Sequence, residues 1–475
     1  MCDGVVTTYS RPGFWGEGMM ILFAGRSTAA WVVAFVVGLG LFATASARAA
    51  EVTKSTTDIC VLRLEGEIVD GDLARLKNLA SANFKGFDGE SSSHDTLCLN
   101  SPGGSVVEGV KLADFIYKTG IGTVIDKGDE CYSICSVMFM MGTAQGPEVN
   151  FVNRKLNVAG KLGFHRPYLA IDSDEMVNVK ALAIAHDAAI ESITQLMVLA
   201  NNQVPWSNST MMKPDLIQAM LSHIGNDLYY IDTVEKAGRF EIELFGGGES
   251  TGLTEAQAYY ACENGFHWQV GLIGKDTDYQ RLRLQLGTNG ADDGIVKLVS
   301  DGPLGRLFAV TSEDEDYSEA RCLIGLKNGY VQGCGYNGMY NVSVGQGQCT
   351  PENFEERAQS IPRVSLLKPG LSLGQLEGAA VNADDGAAPA TCAIFSASGE
   401  SEQEKCSVRF ANSTGADGQK ASKWEFTWPT GNKTIVQRQG KQLRINGKEA
   451  SMNFAEGYAM CAVNAESGNR FCFKF

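Results

Sequence analysis

Two side chains in this sequence have the types and settings that acyl transfer requires. Ser133 lies in Cys131-Tyr132-Ser133-Ile134-Cys135, just ahead of an apolar helical stretch from Val137 to Met141. A hydroxyl at a helix start feels the positive end of the helix dipole, and adjacent backbone N–H groups can stabilise an oxyanion. The plainer alternative is an N-cap, a common role for serine in that place. A nucleophilic serine also needs a base within hydrogen-bond reach. His165 ends the apolar run Leu162-Gly163-Phe164 and precedes Arg166-Pro167, which sets it at a turn beyond a strand. Its plain alternative is a solvent-facing loop histidine. Of the other four histidines, His94 falls in a serine-rich loop, His186 inside a helix and His267 in a later segment. His223 stands four residues before Asp227 near a helix end, where a C-terminal helical contact is its expected role.

The elements that must position these residues alternate strand and helix patterns. Leu97-Cys98-Leu99-Asn100 reads as a strand, Ser101-Pro102-Gly103-Gly104-Ser105 as a turn, and Val106 to Tyr117 as a helix. A Gly-Gly turn can expose a backbone N–H, because glycine permits conformations and close approaches that a side chain blocks, although such a turn is more often plain. Thr123 to Ile125 is a further β-branched run, and Asp174 to Ala200 is a long helical pattern. Residues 51 to 245 therefore predict an α/β domain. Two breaks follow, at Gly246-Gly247-Gly248 and at the Ala/Gly/Asp stretch from Glu377 to Ala390. The segments they delimit, 255 to 376 and 391 to 475, carry short β-like runs and four cysteines each, and predict two small disulfide-stapled β-rich domains. Each four-cysteine set allows three pairings, and nothing in the sequence chooses among them. These domains read equally as binding modules or as stabilising appendages.

NSPGGSV (Asn100 to Val106), a serine at a helix start thirty residues after Gly103, and GFHRP (Gly163 to Pro167) together resemble the Clp protease proteolytic subunit. They are similar in particular to the exported ClpP-like proteins of the ClpP/crotonase superfamily, over about residues 58 to 240. The resemblance implies a spiral of ββα units with outer helices, Ser133 as nucleophile, His165 as general base, and Gly103 and Ile134 as oxyanion-hole donors. It also implies a carboxylate before the final helix as third member, for which Asp227 is the candidate. The implied activity is that of an exported, ATP-independent serine peptidase acting on peptides or proteins, with no cofactor, no metal and no ATPase unfoldase. A catalytically inactive ClpP-like scaffold or binding protein is the alternative, and acyl-CoA chemistry of the crotonase branch is disfavoured. The family also implies a homo-oligomer assembled through the helix at about 174 to 202, although the appended domains could block a closed ring. Three departures stand out. Tyr132 and two flanking cysteines replace small residues before the serine, the 32 residues from Ser133 to His165 call for an extra loop at Gln145 to Arg154, and the segment after His165 is longer.

Cysteine usage and the N-terminus bear on the compartment. Ala29 to Ala43 is an uncharged apolar run preceded by Arg26 and followed by Ala47-Arg48-Ala49, a small-x-small cleavage pattern, so residues 1 to 49 read as a secretory signal peptide. The expected location is periplasmic or secreted, with an uncleaved N-terminal membrane anchor as the alternative. Removing those residues discards Cys2 and leaves twelve cysteines without a paired zinc-type pattern, which predicts disulfides in an oxidising compartment. Cys131 and Cys135, at i and i+4 across a helix start, would lie about 6 Å apart at Cα, within disulfide reach. A reduced redox or metal pair is the alternative and lacks further ligands at suitable spacing. Cys60 and Cys98 fall on strands expected to be neighbours and form a second candidate pair. The formal charge of the 475-residue chain, −15, repels phosphate backbones, so nucleic-acid binding is disfavoured.

Overall fold

The computed structural model describes residues 49–86, 94–146, 150–168, 179–204, 209–248, 252–272, 278–289, 295–302, 305–311, 321–327, 330–377, 387–399, 401–414, 420–453 and 455–474. The signal-like stretch 1 to 48 and residues 174 to 178 of the expected long helix lie outside them. The fold is mixed α/β, and residues 47 to 475 form one compact unit.

The first stretch is built on two sheets. Strands β1 (Glu51–Lys54), β2 (Leu62–Glu65), β3 (Thr96–Asn100), β4 (Gly122–Ile125), β8 (Arg154–Asn157) and β11 (Glu243–Phe245) lie in that order, parallel except for the β1/β2 pair. The continuous apolar character of β3 and β4 follows from burial on both faces, as expected of central parallel strands. A smaller sheet holds β5 (Glu130–Tyr132), β9 (Lys161–Phe164) and β10 (Tyr229–Tyr230), with β9 between the other two. A bridge between Ser101 and Cys131 joins the end of β3 to this second sheet. Expected loop 145 to 154 instead contributes to a short antiparallel hairpin, β6 (Thr143–Gln145) with β7 (Asn150–Val152), and its last residue opens β8.

Helix α1 (Asp72–Asn83) and helix α2 (Val106–Thr119) are locked by a charge buried between them. The Glu108 carboxylate on α2 accepts the Gly71 and Leu73 N–H groups at the start of α1, at 3.1 and 2.9 Å, and pairs with Lys111. It serves α1 as a cap supplied from another helix, since Gly71 has no side chain to offer. Burial by itself would raise the Glu108 pKa. The Leu73 N–H, the Lys111 ammonium and the Gly71 N–H overcome that and hold it below the ordinary value of 4.5. Ser105 caps α2 by accepting the Glu108 N–H, and Gly120 ends it in the left-handed conformation that glycine tolerates.

α3 (Ile134–Met140) is wholly buried, whereas α4 (Val179–Ala200) buries Leu196, Leu199 and Ala200 and exposes Val179 at 83% and Leu182 at 59%. Residues 182 to 200 are long and apolar enough to cross a membrane by length and composition alone. Helices α5 (Pro214–Ser222) and α6 (Val234–Arg239) complete this core, and residues 362 to 376, grouped by the sequence with the middle segment, return to it through Val364, Leu373 and Leu376. Arg154 ties these elements together. Its fully buried guanidinium donates to the carbonyls of Met140, Met211, Phe240 and Glu241 at 2.7 to 3.0 Å.

The middle segment opens on a helix, α7 (Glu255–His267), begun by a Thr254/Gln257 capping box, and a second helix spans Tyr279–Asn289. Five strands between Val296 and Val344 then form an antiparallel sheet, with Gln359–Ser360 paired to one of them. Tyr259, Tyr260 and Phe266 of α7 pack with Phe308, Ile324 and Val331 of that sheet. The last segment is a closed eight-stranded antiparallel barrel, its interior filled by side chains including Trp424, Phe426 and Phe473.

Six disulfides join the cysteines from Cys60 onward: Cys60–Cys98, Cys131–Cys135, Cys262–Cys322, Cys334–Cys349, Cys392–Cys406 and Cys461–Cys472. The pairings that the sequence left open are thus local within each segment, and they fit an oxidising compartment.

Two outcomes are expected of the buried charges. Arg154→Met leaves four carbonyls without their donor and should cost at least about 3 kcal/mol in denaturant unfolding, and an unchanged midpoint would contradict this role. Because the folded pKa of Glu108 is lowered, its contribution is present above the unfolded value and lost as pH falls through the folded one. The stability gap between wild type and Glu108→Gln should therefore narrow as pH drops below 4.5, and a gap independent of pH would count against it.

Candidate active site

β5 and β9 run parallel with Glu130 opposite Lys161, Cys131 opposite Leu162 and Tyr132 opposite Gly163. This register brings Ser133, one residue past β5, and His165, one past β9, to the same end of adjacent strands. The start of β5 is anchored by Arg63, which grips the Asp129 carboxylate with two nitrogens at 2.8 and 2.6 Å. The other end is anchored by the Ser133 N–H, which donates to the Gly163 carbonyl at 3.3 Å.

Ser133 has φ 59° and ψ −129°, and its side chain makes no capping bond to α3. The plain N-cap alternative is therefore not the role it plays. A positive φ at a residue with a Cβ is sterically costly and persists only where the surroundings impose it. Here the Cys131–Cys135 disulfide spans the turn with Cα atoms 5.3 Å apart, and the Ser133 carbonyl accepts both the N–H and the hydroxyl of Ser136. On the other side stands Gly103, with φ 102°. A Cβ built there would lie 2.6 Å from the Ser133 Cβ and 3.1 Å from its Oγ, so a residue without a side chain is needed for the two turns to meet. Gly109 meets the same demand within α2, where a Cβ would lie 2.2 Å from Ile134 Cγ1.

The N–H groups of the glycine turn and of the residue after Ser133 differ in availability. That of Gly103, the expected oxyanion donor, is taken by Ser101 Oγ at 3.1 Å. Those of Gly104 and Ile134 meet no acceptor among the described residues. The sequence signal for Gly104 is the Gly-Gly pair itself, and the structure supplies the reason for its second glycine, whose Cβ would lie 2.3 Å from the Ile68 carbonyl oxygen.

The His165 Nδ1 lies 2.9 Å from the Arg166 carbonyl oxygen. A carbonyl only accepts, so Nδ1 carries the proton and Nε2 is the basic nitrogen. Among the described residues no hydrogen bond joins Ser133 Oγ to His165. Asp227 is exposed in a turn closed by its N–H to the Ile224 carbonyl, and it makes no bond to His165. It lies past the same strand ends, two residues before the Tyr229–Phe164 pair.

Along the sheet face, Tyr132, Gly163 and Tyr230 share one row, and the two phenol rings meet edge to face at 6.1 Å. Burial raises the Tyr132 pKa, with Glu130 and Tyr230 adding to the effect, so the phenol stays protonated. Among the described residues no group of three or more His, Cys, Asp or Glu side chains is arranged to hold a metal ion. The chain matches no protein-family model and no curated protein.

Gly103→Ala tests the steric fit directly. The added methyl meets Ser133 at a left-handed backbone position, so destabilisation of about 1 kcal/mol or more is expected in chemical unfolding. Stability equal to wild type would show that the two turns do not press together.

Proposed function

We propose that this chain is an exported serine hydrolase, a ClpP-like peptidase that works without an ATPase partner. The observation that carries the reading is Ser133 itself, held at φ 59° beyond a strand end, capping nothing, with the free N–H of Ile134 beside it. The parallel sheet, the Gly103 turn against the nucleophile and the histidine on the neighbouring strand support a site of this family's kind, and the six disulfides support export. Exposed apolar side chains on α4 support self-assembly through that helix.

In this reading Ser133 Oγ attacks the acyl carbon while His165 Nε2 takes its proton, and the N–H groups of Ile134 and Gly104 receive the developing oxyanion. The imidazolium then protonates the leaving amine, and water resolves the acyl-enzyme by the reverse transfer. The absence of a Ser133–His165 hydrogen bond favours the second reading, an inactive scaffold with this fold. A fluorophosphonate probe separates the two. Labelling is expected at Ser133 and should be lost in Ser133→Ala, while His165→Ala should slow it by about a thousandfold or more, and in peptide hydrolysis the double variant should be scarcely worse than either single one. A wild type that is folded but never labelled would establish the scaffold.

A further inference from the structure

We infer that the His165 imidazole is held in its catalytic tautomer by the Arg166 carbonyl, with Pro167 as the positioning residue, and that Asp227 takes no part. The inference rests on the hydrolase reading for its consequence but not for its test. A serine hydrolase needs a group that binds Nδ1–H, so that Nε2 is left to accept the serine proton. Here that group is the main chain one residue on, at 2.9 Å. Asp227, the carboxylate at the corresponding end of the strands, is exposed and unbonded to the ring.

The residue that presents this carbonyl is held on both sides. The Arg166 N–H donates to the His223 carbonyl at 3.0 Å, at the end of α5. The His223 ring is itself secured, with Nδ1 2.7 Å from the Ala219 carbonyl and the imidazole against Tyr229 at 5.8 Å. On the carbonyl side stands Pro167, whose ring disfavours helical backbone angles at the preceding residue. Arg166 is thus biased toward extended geometry, which restricts how its carbonyl can swing away from the ring. Through the reaction Nδ1–H stays on this carbonyl. Only Nε2 exchanges a proton, first gaining it from Ser133 Oγ–H and then giving it to the leaving amine.

The test reads the tautomer by nitrogen NMR on protein labelled with ¹⁵N-histidine, with His165→Gln assigning the signal, beside the rate of fluorophosphonate acylation. Wild type and Asp227→Asn are both expected to show Nδ1–H at His165 and to be acylated at rates within about threefold of each other. Pro167→Gly and Pro167→Ala, with thermal unfolding matched to wild type, should shift the signal toward Nε2–H and slow acylation about tenfold or more. A shift to Nε2–H in Asp227→Asn, or proline variants that retain both Nδ1–H and the wild-type rate, would overturn the inference. If the proline variants do not fold, the wild-type and Asp227→Asn spectra decide it alone. A wild type that shows Nδ1–H and is never acylated would sink the hydrolase reading while leaving the assignment of the imidazole in place.

Discussion

Everything at the candidate site turns on one steric contact, the approach of the Gly103 main chain to Ser133. Were either turn further out, Ser133 could relax into an ordinary N-cap, its hydroxyl bonded to α3 and unavailable. Instead β3 delivers the glycine turn, β5 delivers the serine, and the Ser101–Cys131 bridge sets the distance between them. The Cys131–Cys135 disulfide and the two donors of Ser136 then close the remaining routes by which the backbone could escape a positive φ.

A second constraint is the use of buried charge as a fastener. Arg154 and Glu108 are both removed from water and both satisfied by main-chain groups from separate segments. Desolvation makes such groups costly unless every partner is in place, so each specifies one arrangement of the helices around it. Arg154 fixes the end of α3 against the segment after α6, and so holds the helix that follows Ser133 from its far end. Even the loss of solvation, which pulls its pKa down to about 10, leaves it charged at neutral pH.

The two C-terminal segments reach their stability differently. The middle one has a helix crossing its sheet, whereas the barrel relies on closure and on a packed aromatic interior in which Phe426 meets both Phe471 and Phe473 at 4.7 Å. Their disulfides link residues close in the chain, 11 to 15 apart in three of the four cases. Cys262–Cys322, 60 residues apart, is the exception and ties α7 to the sheet it covers.

Local chemistry was legible in the sequence because it is written in adjacent residues. The Gly-Gly turn, the serine before an apolar helix, the histidine before Arg-Pro and the i, i+4 cysteines each depend on a few neighbours, and each can be read without knowing the fold. The helix that opens the middle segment carries a local signal in the Thr254/Gln257 box, whereas the cysteine spacing and β-like runs of that segment point to strands. What tertiary structure decided was whatever depends on contacts between distant residues. Which glycine N–H is spent on Ser101 and which is left free follows from a hydroxyl whose direction the turn sets. Whether Nδ1 of His165 finds a carboxylate or a carbonyl follows from where α5 and β10 hold the chain after a long excursion. Ser133 declines the cap that its sequence position offers in a turn against which the Gly103 main chain, thirty residues away, packs so closely that a Cβ there would lie 2.6 Å from the Ser133 Cβ.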